Sequence, residues 1–76
     1  MSAYEYVISH GTPVLSDAFK AAQGSLDHPM SDHEAIELLR DLPYSLRSTP
    51  LSKKKIILIY HECLTFLAKF YLEDIL

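Results

Sequence analysis

The segment Thr49–Leu76, TPLSKKKIILIYHECLTFLAKFYLEDIL, decides the fold. Thr49-Pro50 is a helix start, a capping hydroxyl followed by proline at the first helical position, with Ser52 as a competing cap. Neither Gly nor Pro interrupts the chain from there to Leu76, so one long helix is expected. With residues placed every 100°, Phe66, Ile59, Phe70, Cys63, Ile56, Leu67, Tyr60, Tyr71, Leu64, Ile57 and Ala68 fill a continuous arc of about 200°. Lys54, His61, Thr65, Lys69, Glu62, Lys55 and Glu73 take the remaining sector, with Leu58 and Leu72 as apolar exceptions within it. A helix covered on one side needs only about half that arc, so this one calls for cover on two sides. Length points the same way: about 26 residues span roughly 39 Å, whereas a compact chain of this size is about 29 Å across.

Working back towards the N-terminus, each earlier element carries its own start and stop chemistry. Ser31-Asp32-His33-Glu34 is a capping box ahead of Ala35, Ile36, Leu38, Leu39 and Leu42, a helix expected to end before Pro43. Thr12-Pro13 opens another helix, whose Val14, Leu15, Ala18, Phe19 and Ala22 share a face until Gly24. Ser2 and Glu5 form a further capping box before Tyr4, Val7 and Ile8, closed by Gly11. Tyr4, Tyr6 and Ile8 also alternate, so a strand over residues 3–10 is the rival reading there. The expected fold is all-α: one small domain over residues 1–76, with three short helices packed against a long C-terminal one and a dimer formed through that helix.

Size sharpens the case for a partner. A chain of 76 residues buries only about 60% of the surface its unfolded form exposes, and one cysteine provides no internal staple. The three short helices offer enough apolar side chains for one flank of the long helix but not for a second. A second copy related by a two-fold axis is the simplest cover, with Ile56, Ile59, Tyr60, Cys63, Phe66, Leu67, Phe70 and Tyr71 as the expected interface. Two copies of Cys63 facing each other there would allow an oxidative cross-link.

The charges are placed against local preference. Glu37 and Asp41 are like-charged neighbours one turn apart, and Asp41 sits at the negative end of its helix dipole. Lys53, Lys54 and Lys55 sit at the positive end of the last helix, and with Arg47 they form a basic patch suited to an acidic partner. The chain as a whole has seven Lys/Arg against ten Asp/Glu, a net charge of −3, which argues against coating nucleic acid or an anionic membrane. A helix-turn-helix-like nucleic-acid regulator using Arg47 to Lys55 is the alternative function. Its spacing fits poorly, since the connection has seven residues where that motif uses three or four.

Chemistry is sparse. His61, Glu62 and Cys63 diverge by 100° per residue and cannot converge on one ion, and the second histidine of a zinc helix is missing. His33 and Glu37 lie one turn apart and are expected to form an exposed ion pair, with His28 nearby in sequence. Cys63 lies within the apolar arc, where a thiol is a small hydrophobe with a raised pKa. No nucleophile, base and oxyanion donor can be placed together. No enzyme activity, cofactor or metal is expected. Ile56–Leu76 carries too many charges to span a membrane, and Met1–His10 fits neither a secretory nor a transit peptide, so a cytoplasmic setting is expected. The sequence therefore reads as a small non-enzymatic interaction module, a regulator, adaptor or inhibitor, that works as a homodimer.

Overall fold

The computed structural model describes residues 2–45 and 50–73, which form four α-helices and no strand: α1 (Ala3–His10), α2 (Pro13–Gly24), α3 (Asp32–Ser45) and α4 (Lys53–Leu72). Residues 3–10 are thus helical. The capping box opens α1 as the sequence implies: the Ser2 hydroxyl accepts from the Glu5 amide at 3.1 Å and donates to the Glu5 carboxylate. At the start of α3 the Ser31 hydroxyl accepts from the Glu34 amide, and here it is the Ser31 backbone amide that donates to the Glu34 carboxylate.

Two further acids close helix ends that lie far away in sequence. The Ala3 amide at the start of α1 donates to Asp32 Oδ1 of α3 at 2.9 Å. Thr12, at the N-cap of α2, makes no side-chain capping bond, and its amide donates instead to Glu62 Oε1 of α4 at 2.6 Å. Both carboxylates therefore serve helix N-termini, where amides are unpaired and the dipole is positive. The buried Ser16 hydroxyl of α2 lies 3.3 Å from each of the Ile8 and Gly11 carbonyls and ties down the end of α1. Gly11 itself leaves no room for a side chain: a Cβ there would stand 2.6 Å from the Val7 carbonyl oxygen and 3.1 Å from Glu62 Oε1.

The main packing pairs are α1 with α2, α3 with α4, and α1 with α3. One core joins all four helices, with Val7, Leu15, Phe19, Leu39, Cys63 and Phe70 fully enclosed and Met30 contributed by the α2–α3 loop. The Tyr6 ring of α1 meets Phe66 and Phe70 of α4 edge-on at 5.6 and 5.8 Å between centroids, and Lys69 Nζ lies 4.7 Å from the same ring.

The structure corrects the expected ends of the last two helices. α3 does not stop before Pro43 but continues to Ser45. Pro43 stands in the final turn, so its missing amide removes only one hydrogen bond, to the Leu39 carbonyl, and burial of Leu42 and Pro43 offsets that loss. α4 has 20 residues rather than about 26: the competing cap prevails at its start, where the Ser52 hydroxyl accepts from the Lys55 amide, and the helix ends at Leu72 with Glu73 as its C-cap. Thr49 lies outside the described residues. At 1.5 Å per residue α4 is about 30 Å long rather than roughly 39 Å, comparable with the 31 Å long axis of the molecule, so its length no longer argues for a partner. The case for a partner then rests on the apolar arc alone.

The exposed ion pair expected of His33 and Glu37 is not formed among the described residues, and the α2–α3 loop holds a different one. Among the described residues it is His28 that is paired: its Nδ1 lies 3.0 Å from Asp27 Oδ1 and its Nε2 3.0 Å from Glu34 Oε1. Gln23 braces the same loop, donating to the His28 carbonyl and accepting from the Met30 amide. Hydrogen bonds to Asp27 and then Glu34 raise the His28 pKa above 6.5, while the Ser31 amide and then His28 lower that of Glu34 below 4.5. A raised histidine pKa stabilises the fold fully below about pH 6.5, and that stability fades as pH rises through the folded-state value. A lowered glutamate pKa acts above about pH 4.5 and is lost as pH falls through its own folded-state value. The clip is thus strongest between those two limits. The melting temperature of the parent should exceed that of His28→Gln at pH 6, and the gap should close by pH 9. A gap of equal size at both values would show that the charge on His28 does not matter.

Candidate interaction surface

The apolar residues of α4 sort into two stripes, each with the alternating spacing of three and four that keeps side chains on one line of a helix. Ile56, Ile59, Cys63, Phe66 and Phe70 form the first, and Ile57, Tyr60, Leu64, Leu67 and Tyr71 the second, about 100° further round. The first stripe belongs to the protomer: Ile59, Cys63, Phe66 and Phe70 are buried and Ile56 is half-buried. The second faces outward, with Ile57 66%, Leu64 64% and Tyr71 51% exposed and with Tyr60 and Leu67 half-buried.

This division corrects the expected interface set. Ile59, Cys63, Phe66 and Phe70 are consumed by the chain's own core, because three neighbouring helices are enough to enclose a seam of four residues. They cannot also meet a second molecule. The expected Cys63 cross-link falls with them, since the thiol is only 1% exposed and burial pushes its pKa up to about 11. Tyr60, Leu67 and Tyr71 remain on the outward side, and Ile56 lies at the border between the stripes. Ile57 and Leu64 join them although the expected set left them out. Their signal was present in the sequence, since they complete the three–four spacing of Tyr60, Leu67 and Tyr71.

Beside the outer stripe, α3 and α4 leave a groove of about 390 Å³. Leu39 and Cys63 form its floor, Pro43 and Tyr44 line the α3 side, and Tyr60, Leu64 and Leu67 the α4 side. The exposed Arg40 and Asp41 also border it, and Tyr44 extends its apolar wall outward. Groove and stripe are continuous through Tyr60, Leu64 and Leu67. Contiguous apolar surface of this kind, bordered by charge, is the usual mark of a site where another macromolecule docks.

The basic patch divides differently. Lys53, Lys54 and Lys55 are exposed in the first turn of α4, while Arg47 lies outside the described residues. Among the described residues none of the three lysines forms an ion pair, the one lysine pair being Lys69 with Glu73. Of the nearby acids, Asp32 and Glu34 are taken up by helix caps and the His28 clip, and the like-charged Glu37 and Asp41 border a shallower hollow between α2 and α3.

No family model, curated protein or solved structure matches the chain. Its surface therefore has to be read from its own residues. Among those described, no three histidine, cysteine or acidic side chains gather as metal ligands, and no helix is long and apolar enough to cross a membrane.

Proposed function

We propose that this chain is a small, non-enzymatic protein–protein interaction module, a regulator, adaptor or inhibitor, that acts as a homodimer through the outward face of α4. One observation carries the reading: a helix that already supplies a full inner seam to the core presents a second seam of equal length, with Ile57 and Leu64 about two-thirds exposed. A soluble protein gains nothing from leaving such side chains in water. At roughly 25 cal/mol per Å² of apolar surface removed from water, covering them is the largest stabilisation still open to the molecule. An isologous two-fold contact is the most economical cover, because one surface then satisfies both partners. The setting that suits this reading is the cytoplasm, where an unpaired cysteine stays reduced.

The test is the mass in solution at micromolar concentration, by light scattering or sedimentation. The expected value is about twice the protomer's 8.7 kDa. A mass that stays at the protomer value up to about 100 μM, a dissociation constant worth only some 5.5 kcal/mol, would overturn the homodimer.

A further inference from the structure

Resting on the homodimer reading, we infer that the occupant of the outer stripe is a second copy of α4 running antiparallel, centred on residue 62, with Lys53 of each protomer lying over the last turn of the partner's α4. Three observations support the direction and the register.

The first is the length of the stripe. Lys53 stands four residues before Ile57 and so falls on the same line, which then reads Lys53, Ile57, Tyr60, Leu64, Leu67, Tyr71. These six positions are symmetric about residue 62. Turning one copy end over end places Ile57 opposite the partner's Leu67, Tyr60 opposite the partner's Leu64, and Lys53 opposite the partner's Tyr71. Every position finds a partner and none overhangs.

The second is charge. Three consecutive lysines stand in the first turn of α4, where the helix dipole is already positive, and none of them is paired among the described residues. A parallel dimer would gather six ammonium groups and two positive helix ends at one point. The antiparallel dimer sets each trio beside a helix C-terminus, where the last four carbonyls lack intrahelical donors and a cation is stabilising. Glu73, the C-cap residue at that end, is already paired with Lys69 of its own helix, so the attraction rests on the free carbonyls and the dipole. A placement that is unfavourable within one protomer thus becomes favourable across two.

The third is chemistry at the stripe's end. Tyr71 is half exposed, and its ring offers a face to a lysine ammonium. The molecule already makes one such contact, Lys69 over Tyr6.

The experiment uses the full chain with Cys63 retained, since its buried, protonated thiol is silent to mild oxidation. Ile57→Cys, Leu67→Cys and the double variant are oxidised with copper–phenanthroline and run on a non-reducing gel, each having first been shown by circular dichroism to retain the parent's helicity. In the antiparallel register residues 57 and 67 of opposite chains face each other, whereas identical positions lie about 15 Å apart. The double variant should therefore form a reducible covalent dimer, and neither single variant nor the parent should. A cross-link in Ile57→Cys alone would show parallel pairing and overturn the inference while leaving the homodimer intact. A sample that is dimeric by mass but in which the double variant does not cross-link would place the dimer contact on another face and also overturn it. A sample that is monomeric by mass would remove the homodimer and this arrangement together.

Discussion

Phe70→Ala should lower stability by about 3–5 kcal/mol, and in a chain of this size it should lower the melting temperature by about 15–30 °C or leave the protein unfolded at room temperature. Phe70 is completely enclosed, and its ring packs against both Tyr6 of α1 and Phe66 one turn away on α4. Truncation removes the transfer energy of an entire ring and opens a cavity at the junction of α1 and α4 that neighbouring side chains can only partly fill. Domains this small have little stability to lose, of the order of 4–11 kcal/mol at typical values per residue. Leu72→Ala is the control: two residues further on and 86% exposed, it should change stability by less than about 0.5 kcal/mol. Thermal or urea denaturation of the two variants decides the matter. Equal losses would mean that the inward side of α4 has been assigned to the wrong residues.

The contrast between these two positions shows what the sequence made legible and what it did not. Helix starts were plain wherever the capping group and the capped amide are three residues apart, as for Ser2 with Glu5 and Ser31 with Glu34. They were invisible where the cap comes from another helix. Nothing local announces that Glu62 closes α2 or that Asp32 closes α1, because those bonds join residues separated by 50 and 29 positions. Pro43 misled for a related reason: a local rule against proline in a helix was outweighed by burial that only the tertiary fold provides. Thr49 and Ser52 both carried cap chemistry, and the sequence had no means to rank them. The wide apolar arc of α4 was evident, but its division was not. Both stripes have the same spacing and similar bulk, so the wheel alone could not say which would face α3 and which would face water.

Leu64→Glu should therefore break the dimer and spare the fold. Leu64 is 64% exposed in the protomer, so a carboxylate there stays hydrated and thermal stability at submicromolar concentration should change by less than about 0.5 kcal/mol. In the dimer the same substitution buries two unpaired carboxylates, one from each copy, where apolar side chains should meet. Uncompensated buried charge costs about 3–5 kcal/mol, equivalent to a 100- to 1,000-fold or greater loss of affinity. Sedimentation at a concentration where the parent is dimeric should find the variant at the protomer mass. Leu58→Glu provides the control that gives the result its meaning. Leu58 is as exposed and as apolar as Leu64, but it lies about 120° away, off the outer stripe, and its substitution should leave the dimer mass unchanged. Dissociation by both variants would indicate a general electrostatic effect rather than a defined contact. A dimer that survives Leu64→Glu would show that the outward seam of α4 is not the surface that holds two copies together.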